Sequence, residues 1–586
     1  MKQKFLILAL SAWFCACAQQ PQKPILGTTE ASSEPQAEDQ LEQPDSTPAT
    51  KPANLPKQEL NDSVLYEFLL GEIAGQRGQL NIAAKAYLDI AEATRDPRIA
   101  QRATEIALYA RQPEAALQAA RIWVETDPDS AKARQTLVAL LVGARKLEEA
   151  RPHLEKLLAA EGENIGRGFL QLNGLLAKTA DKNEVLNLVR DLTKPHPRVP
   201  EAHLALSQAA WNAAQYDMAL SEVRKALELR PDWELAALFQ GQILQRDSNH
   251  LAIDYLHGYL KSHPKAKDVR LSYARLLVAE KNYPQARKEF QQLMADFPKN
   301  ADVSLAVGLL SMQLNDYDAA EANFKQALSL NYKDQDSVRF YLGQVYEERK
   351  RYDEAQRWYG SVGPGELYIS AHTRYANMLG KQGKLAQARE YLHQLEPQDL
   401  QQKMQIVLAE AQLLRDAGRY QEAFDLLGRT LEKNPNYPDL LYDYAMAAEK
   451  LNRLDVLEDN LLKLIKLKPD YAHAYNALGY TLADRNERLS EAVEFIRQAL
   501  QLAPEDPFIM DSMGWVQYRL GNFKEGADYL QRAFANRPDP EIAAHLGEVL
   551  WAQGRREEAQ QIWQTSLKDN PGNETLQNVM KKFAGK

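Results

Sequence analysis

Two groups of residues in this chain have types and spacings that could do chemistry. The run GSVGPG at residues 360–365 is glycine-rich, as phosphate-binding loops are, but no Lys-Ser or Lys-Thr pair follows it. His545 and Glu548 are three residues apart, which would place both on one helix face as metal ligands require. No second histidine completes a metal pair, and no serine stands in a nucleophile motif. The sequence therefore predicts a protein that is not an enzyme and that uses no cofactor or metal.

The charge balance excludes one class of partner. The 71 lysines and arginines are outnumbered by 80 aspartates and glutamates, which gives a formal net charge of −9 at pH 7. Binding to nucleic acid requires clustered basic side chains. Short basic runs such as Arg349-Lys350-Arg351 fit solvated turns between helices. We therefore expect no nucleic acid among the partners.

The elements that would position a binding site are set by an internal repeat. A small residue returns every 33 to 35 positions, at Ala219, Ala252, Ala286, Ala320, Ala355, Ala388, Ala423, Ala492 and Ala559, with Leu457 and Gly526 in the same phase. Twelve residues later stand Pro231, Pro264, Pro298, Pro435, Pro469, Pro504, Pro538 and Pro571. Twelve residues earlier stand Gly308, Gly343, Ala376, Ala411, Ala445, Gly514 and Gly547. A period near 34 is the length of two antiparallel helices with their turns, so the sequence predicts an all-α solenoid of helical hairpins.

Each marker of the repeat has a packing role. The small residues let the first helix of a hairpin, helix A, approach the second, helix B, where a large side chain would overpack the contact. Proline cannot continue helix B and therefore ends it. The spacing resembles the tetratricopeptide repeat, which is small at its eighth and twentieth positions and ends near a proline. The resemblance implies a right-handed superhelix of about fifteen helix pairs over residues 61–579, with one helix B cut short at 360–365 and a basic tail at 580–586.

Both cysteines lie near the amino terminus. Residues 1–16 have a basic start and an apolar stretch too short to span a bilayer, which is typical of a signal sequence. The segment resembles a bacterial lipoprotein signal: Ala16 and Cys17 match the pattern, whereas Cys15 and the phenylalanine before it depart from it. The resemblance implies a signal peptide at 1–16, lipid attachment at Cys17 and, because Ala18 follows, the periplasmic face of the outer membrane. A plain cleaved signal with a free thiol at Cys17 is the alternative.

Residues 17–60 differ in composition from the repeats. They are rich in Pro, Gln, Ser, Thr and acidic residues, and no aromatic residue appears between Cys17 and Tyr66. Such a segment cannot bury enough apolar surface to fold. We expect a lipidated, Pro-rich, disordered tether that holds the repeats away from the membrane. No stretch after Cys17 approaches the roughly 20 apolar residues of a membrane-spanning helix, so the membrane contact is predicted to be the lipid alone.

The surface best suited to binding is one stripe of helix A in the last three repeats. Helix A lines the inner wall of a tetratricopeptide array, and residues three or four apart share one of its faces. Aromatic side chains exposed among polar groups are typical of partner-binding surfaces. The alternative is that the two tryptophans pack between adjacent helices and belong to the core. The residues of this C-terminal stripe are His473, Asn476, Tyr480, Phe508, Asp511, Trp515, Tyr518, Glu548 and Trp551.

Three strings within the last repeats carry a more specific resemblance. They are NALGYTLAD at 476–484, DSMGWVQYR at 511–519 and AHLGEVLW at 544–551. With the signal, the tether and the repeats, they are similar to the large tetratricopeptide lipoproteins of Gram-negative bacteria that partner a periplasmic C-terminal processing protease. The resemblance implies an adaptor that binds and activates this serine protease and recruits its substrates, peptidoglycan hydrolases. A structural scaffold in an envelope assembly or polysaccharide-export machine is the alternative.

Overall fold

The computed structural model describes Pro56 and residues 61–176 and 181–583. Across these ranges the chain forms 31 α-helices and one short 3-10 turn, with no strand, so the all-α prediction is confirmed. No helix in the same ranges has the length and apolar content that crossing a membrane requires. The predicted signal peptide, Cys17 and nearly all of the predicted tether lie outside the described residues.

The described residues fall into two compact units, the first ending at Asp316 and the second beginning at Tyr317. The helices of the first unit are α1 Asp62–Gln76, α2 Leu80–Thr94, α3 Pro97–Tyr109, α4 Pro113–Thr126, α5 Ala131–Gly143, α6 Leu147–Ala160, α7 Ile165–Leu176, α8 Lys182–Thr193, α9 Pro200–Asn212, α10 Tyr216–Leu229, α11 Glu234–Asp247, α12 Asn249–Ser262, α13 Lys267–Ala279, α14 Tyr283–Asp296 and α15 Ala301–Gln313. The 3-10 turn Gly162–Asn164 precedes α7.

The helices of the second unit are α16 Tyr317–Ser329, α17 Gln335–Glu348, α18 Tyr352–Tyr359, α19 Tyr368–Lys381, α20 Leu385–His393, α21 Leu400–Asp416, α22 Tyr420–Lys433, α23 Pro438–Lys450, α24 Leu454–Leu467, α25 Ala472–Asp484, α26 Leu489–Leu502, α27 Pro507–Arg519, α28 Phe523–Asn536, α29 Pro540–Ala552, α30 Arg556–Asp569 and α31 Glu574–Phe583. In sequence the helices make fifteen successive A–B pairs, and α31 follows the last of them.

The last helix extends into the segment predicted as a basic tail. That tail was expected at 580–586, and α31 continues to Phe583, with Lys581 and Lys582 in its last turn. The ring of Phe583 packs on both Trp551 and Trp563, with centroid separations of 5.4 and 5.6 Å. These contacts cover the apolar end of the last pair, so α31 serves as a cap for the stack of helices that precedes it.

The repeat markers have the packing roles that their spacing predicts. Every alanine of the helix-B small position is fully buried, as Ala219, Ala423 and Ala559 illustrate. Each of the eight marker prolines lies two residues after the last residue of a B helix; Pro231, for example, follows the end of α10 at Leu229. The proline therefore stands just outside the helix that it ends.

The turn from helix A to helix B reverses the chain through a left-handed residue in most pairs. Gly521 has φ 86° and Gly554 has φ 84°, and asparagine takes this conformation at Asn315 and Asn452, with φ of 57° and 54°. Glycine and asparagine tolerate positive φ at low cost. The helix B expected to be cut short is α18, which ends at Tyr359, immediately before the glycine-rich loop.

The hairpin pattern is least regular around α7. Consecutive helices make the main contacts elsewhere in the first unit, whereas α7 packs chiefly on α9. The 3-10 turn before α7 and the 12-residue length of α7 accompany this departure. Helix α7 therefore makes its main contact with the next A helix, α9, and not with α8, the B helix that follows it.

Candidate functional site: the C-terminal helix-A wall

The C-terminal stripe lies on three A helices of the second unit, α25, α27 and α29, which pack against one another in turn. Close contacts hold each A helix to its B helix. A Cβ atom on Gly514 would lie 2.9 Å from the carbonyl oxygen of Gly526, and one on Gly479 would lie 2.8 Å from that of Ala492. Because the A helices also pack directly on one another, stripe residues of one A helix reach those of the next.

Trp515 lies at the centre of the stripe and is only 5 % exposed. Its indole stacks on the imidazole of His545, with ring centroids 4.3 Å apart and planes 24° apart. The guanidinium carbon of Arg519 lies 5.2 Å from the indole centroid. The indole Nε1–H has no hydrogen-bond partner in the described part of the chain. Trp515 thus joins α27 to α29 and keeps one unused donor.

An ion pair lies next to this aromatic stack. Nδ1 of His545 is 3.0 Å from both carboxylate oxygens of Asp511, which is buried. Burial opposes a charged imidazole, but the carboxylates of Asp511, Glu541 and Asp484 outweigh it and raise the pKa of His545 above its usual 6.5. His545 therefore holds a proton more firmly than a solvent-exposed histidine does.

Tyr480 adds an aromatic ring from α25. Its ring centroid is 6.1 Å from that of His545. Burial and then the surrounding carboxylates, Asp484, Asp511, Glu541 and Glu449, raise the pKa of the Tyr480 hydroxyl far above 10. The hydroxyl therefore stays protonated, and four carboxylates lie close enough to act on it.

Glu548 is buried and is held from two sides. Nζ of Lys582, in α31, lies 2.7 Å from Oε1 of Glu548, and the hydroxyl of Tyr518 donates to the same oxygen at 3.4 Å. Burial and then the charge of Glu548 raise the pKa of Tyr518 above its usual value. Glu548 therefore fastens the capping helix to the wall.

Trp551 is half-buried among aromatic rings of the last helices. Its ring centroid is 5.9 Å from that of Trp563 and 5.4 Å from that of Phe583. The guanidinium carbon of Arg556 lies 5.1 Å from the indole centroid. Part of the indole remains exposed, so Trp551 is not enclosed as Trp515 is.

The accessible part of the stripe lies mainly on α25 and at the start of α27. Phe508 is 37 % exposed, and the guanidinium carbon of Arg537 lies 4.9 Å from its ring centroid. His473 is exposed. Asn476 is half-buried, and its Oδ1 atom accepts no hydrogen bond within the described ranges. These side chains leave an aromatic edge and polar groups accessible at the surface.

The prediction of an exposed stripe is therefore wrong for Trp515, Asp511 and Glu548, which are buried. Each is covered by a side chain from another helix: His545 covers the first two, and Lys582 covers the third. The spacing of three or four residues that defines the stripe describes one face of one helix. It carries no information about which side chains of neighbouring helices cover that face. The structure nevertheless brings all nine predicted residues together on α25, α27 and α29.

Sequence reasoning did not identify the role of His545. The spacing of His545 and Glu548 places both on one helix face, where the sequence predicted no metal site; in the structure His545 pairs with Asp511, and Glu548 pairs with Lys582. Within the described residues, no group of three or more His, Cys, Asp or Glu side chains is arranged to hold a metal ion. One signal was present: His545 follows Asp511 by 34 residues, one repeat, and so lies on the adjacent A helix.

The fold and this surface define a helical-hairpin repeat protein whose second unit brings together aromatic and acidic side chains from successive A helices. Models described as tetratricopeptide repeat match residues 200–232, 244–310, 305–360, 414–456, 458–507 and 512–574. The chain belongs to the tetratricopeptide-repeat family. Proteins built from these repeats are generally non-catalytic scaffolds that mediate protein–protein interactions.

The proteins that this chain resembles match it over very different lengths. The TPR repeat-containing protein PA4667 of Pseudomonas aeruginosa is 33% identical over 489 residues, which cover 83% of this chain and 82% of that protein. The cellulose synthase operon protein C of Pseudomonas fluorescens is 25% identical over 300 residues, 47% of this chain and 23% of that protein. The crystal structure of a thermophilic TPR protein from Thermus thermophilus is 26% identical, covers 30% of this chain and 97% of its own, and has a TM-score of 0.29.

Proposed function

We propose that this chain is a lipid-anchored adaptor on the periplasmic face of the outer membrane. It binds and activates a serine protease of the C-terminal processing type and recruits peptidoglycan hydrolases as substrates. The observation that carries the proposal is the helix-A wall of the last repeats, whose sequence resembles that of LbcA, the lipoprotein binding partner of the periplasmic protease CtpA. Membership of a family of scaffold proteins supports an adaptor role.

The electrostatics of the wall support a partner with basic residues at the contact. Asp484, Glu541 and Glu449 all act on the hydroxyl of Tyr480, and they come from three different A helices. Charges arranged in this way accelerate association with a basic surface more than they add to affinity, and salt screens them. We therefore expect the association rate to fall as the ionic strength rises.

The activation test measures the rate at which the purified protease cleaves a purified peptidoglycan hydrolase, with and without the chain. We expect faster cleavage in its presence and co-elution of chain and protease in gel filtration. Unchanged cleavage together with separate elution would remove the adaptor proposal.

Phe508→Ala tests whether the accessible end of the wall takes part in binding the protease. A well-packed aromatic anchor contributes about 2 kcal/mol to an interface, so the Kd for the protease should rise roughly thirtyfold. The matched control is Phe297→Ala, since Phe297 is 40% exposed beside Lys267 in the first unit. Equal Kd values for the two variants would place the protease contact elsewhere.

A structural scaffold in a polysaccharide-export or envelope assembly machine is the second candidate. The similarity to a cellulose synthase operon protein over 300 residues favours it, although the match spans only 23% of that protein. Affinity purification of the chain from membranes distinguishes the adaptor from the structural scaffold. Recovery of export or assembly components without the protease would favour the scaffold over the adaptor.

A further inference from the structure

The first helix that the structure describes, α1, has apolar residues on two opposite faces. On the inner face Gly71 and Ala74 are buried, and the ring of Phe68 lies edge-on to that of Tyr87 in α2, with centroids 6.2 Å apart. On the opposite face, residues three or four apart form one line along the helix, which we call the outer stripe. The apolar members of the outer stripe are Leu65, Tyr66, Leu69 and Ile73.

The outer stripe is exposed along its whole length. Its apolar side chains range from 41% exposed at Leu65 to 64% exposed at Tyr66. A helix that is apolar on all sides is normally buried, and the end repeats of a solenoid normally carry a polar outer face. At the carboxyl-terminal end of the chain, α31 covers the last pair. The outer stripe therefore needs a cover that the described helices do not provide.

Two candidate covers fit the outer stripe poorly. Residues 17–60 contain no aromatic residue and only one isoleucine and four leucines as large apolar residues, so they have little with which to cover it. A lipid surface fits no better, because helices that lie on membranes carry lysine or arginine on their polar face. Helix α1 has three acidic residues, Asp62, Glu67 and Glu72, and no basic residue between Asp62 and Gln76.

The charges at the two ends of the outer stripe indicate what does cover it. Asp62 lies in the first turn of α1, and Arg77 directly follows its last residue. Both are exposed, and neither has an ion-pair partner in the described part of the chain. The stripe is symmetric about Leu69: Leu65 and Ile73 are each four residues away from it, and the two opposite charges lie seven and eight residues away. Two antiparallel copies of α1 that cross at Leu69 would thus place unlike charges together at both ends.

We propose that the outer stripe of α1 is the interface between two copies of this chain, related by a two-fold axis at Leu69. In such an interface each copy contributes the same surface, so Leu65 of one copy packs on Ile73 of the other and Asp62 pairs with Arg77. One helix per copy is a small interface, and we expect a dissociation constant in the micromolar range. The inference concerns α1 alone and does not rest on the proposed protease partner.

A dimer of this kind would carry two C-terminal helix-A walls. Attachment of both copies to one membrane would raise their local concentration and favour the pair.

The test uses the mature chain, residues 17–586, with Cys17→Ser, so that no lipid drives association and no cysteine remains. Sedimentation equilibrium at micromolar concentration should show a reversible dimer. Leu69→Glu places two carboxylates at the axis and acts twice in a symmetric pair, so it should raise the dimer Kd about 100-fold or more. Leu251→Glu is the matched control and should leave the Kd unchanged, because Leu251 is 49% exposed on α12 and Leu69 is 50% exposed on α1.

Charge reversal tests the antiparallel register. Asp62→Lys and Arg77→Glu should each raise the dimer Kd roughly threefold to tenfold, since each removes two exposed ion pairs. The double variant should regain the parent Kd, because it restores the pairs with their signs exchanged. Leu69→Cys should form a disulfide-linked dimer on mild oxidation, and Leu251→Cys should not.

Three results would overturn the proposal. They are a monomeric parent at these concentrations, a Leu69→Glu variant that dimerises as the parent does, and a double charge reversal that dimerises no better than the single ones. A monomeric parent that floats with vesicles of phosphatidylethanolamine and phosphatidylglycerol, and loses this in Leu69→Glu, would assign the outer stripe to a lipid surface instead.

Discussion

At the residue scale, the buried charges of this protein are held by side chains from neighbouring helices. Glu347 is the clearest case: Nη1 of Arg374 lies 2.8 Å and Nζ of Lys381 lies 3.0 Å from its carboxylate oxygens. The hydroxyl of Tyr359 donates to the same carboxylate at 2.8 Å. Three helices, α17, α18 and α19, therefore meet at one buried carboxylate, and removal of its charge leaves an uncompensated cation.

Glu347 should make the free energy of unfolding depend on pH in the acidic range. Burial opposes its ionisation, but Arg374 and Lys381 outweigh it and hold the pKa below the usual 4.5. A pKa lowered by folding stabilises the protein above pH 4.5, and this stabilisation is lost as the pH falls through the folded-state pKa. Urea unfolding from pH 3 to 7 should show this loss, and the Glu347→Gln variant should show a smaller one. Superimposable pH profiles would contradict the assignment.

His545 should make the stability of the protein depend on pH in the opposite direction. Its folded-state pKa is raised above 6.5, so its stabilisation is complete below pH 6.5 and is lost as the pH rises through that pKa. In Asp511→Asn the opposing effect of burial should prevail and move the pKa of His545 below 6.5. Histidine ring resonances in NMR titrations measure this, with His545→Gln identifying the signal. The variant should also lose about 1.5–3 kcal/mol of stability near pH 6.

At the scale of the element, small residues set how closely helix A and helix B approach. In α17, a Cβ atom on Gly343 would lie 2.5 Å from ring atoms of Tyr359 in α18. Tyr359 is fully buried and cannot move aside without disturbing Glu347. The same close approach recurs in the last repeats at Gly479 and Gly514.

Gly343→Leu should therefore destabilise the second unit. Overpacking of a closed contact costs about 1–3 kcal/mol, and the displaced Tyr359 hydroxyl adds to that cost. Gly258→Leu is the matched control, because Gly258 is also a helical glycine but faces open space. Thermal unfolding followed by circular dichroism compares the two. Similar midpoints for both variants would contradict the A–B phase of the repeat.

At the scale of the whole molecule, the proposed function combines an anchor, a tether and a long repeat array. Each repeat contributes a short length of wall, and the two units together contain fifteen A–B pairs. An array of this length can offer separate surfaces to different partners, and the surface on α25, α27 and α29 is one of them. This is the property that an adaptor requires.

The anchor is tested by comparing the two cysteines near the amino terminus. We expect Cys17→Ser to release the protein into the soluble periplasmic fraction with unchanged helix content, because lipid is the predicted membrane contact. Cys15→Ser is the control and should remain in the membrane fraction, since the residue before Cys15 is a bulky phenylalanine. Membrane retention of Cys17→Ser would show that the signal is not of the lipoprotein type.

The sequence by itself determined the features that depend on contacts within one repeat. These features are the helical period, the buried small positions and the prolines two residues after each B helix. They follow from packing between helices about 17 residues apart, so the residues that cause them all lie within one repeat. The stripe of A-helix residues could be placed on one wall for the same reason.

Only the tertiary structure decided which parts of that wall are open. Trp515 is covered by His545 and Glu548 by Lys582, and each covering residue comes from a helix about one repeat further along the chain. Helix α7 packs chiefly on α9, one repeat further along, and not on the helix that follows it in sequence. Exposure depends on side chains that are distant in sequence, and a local pattern does not contain them.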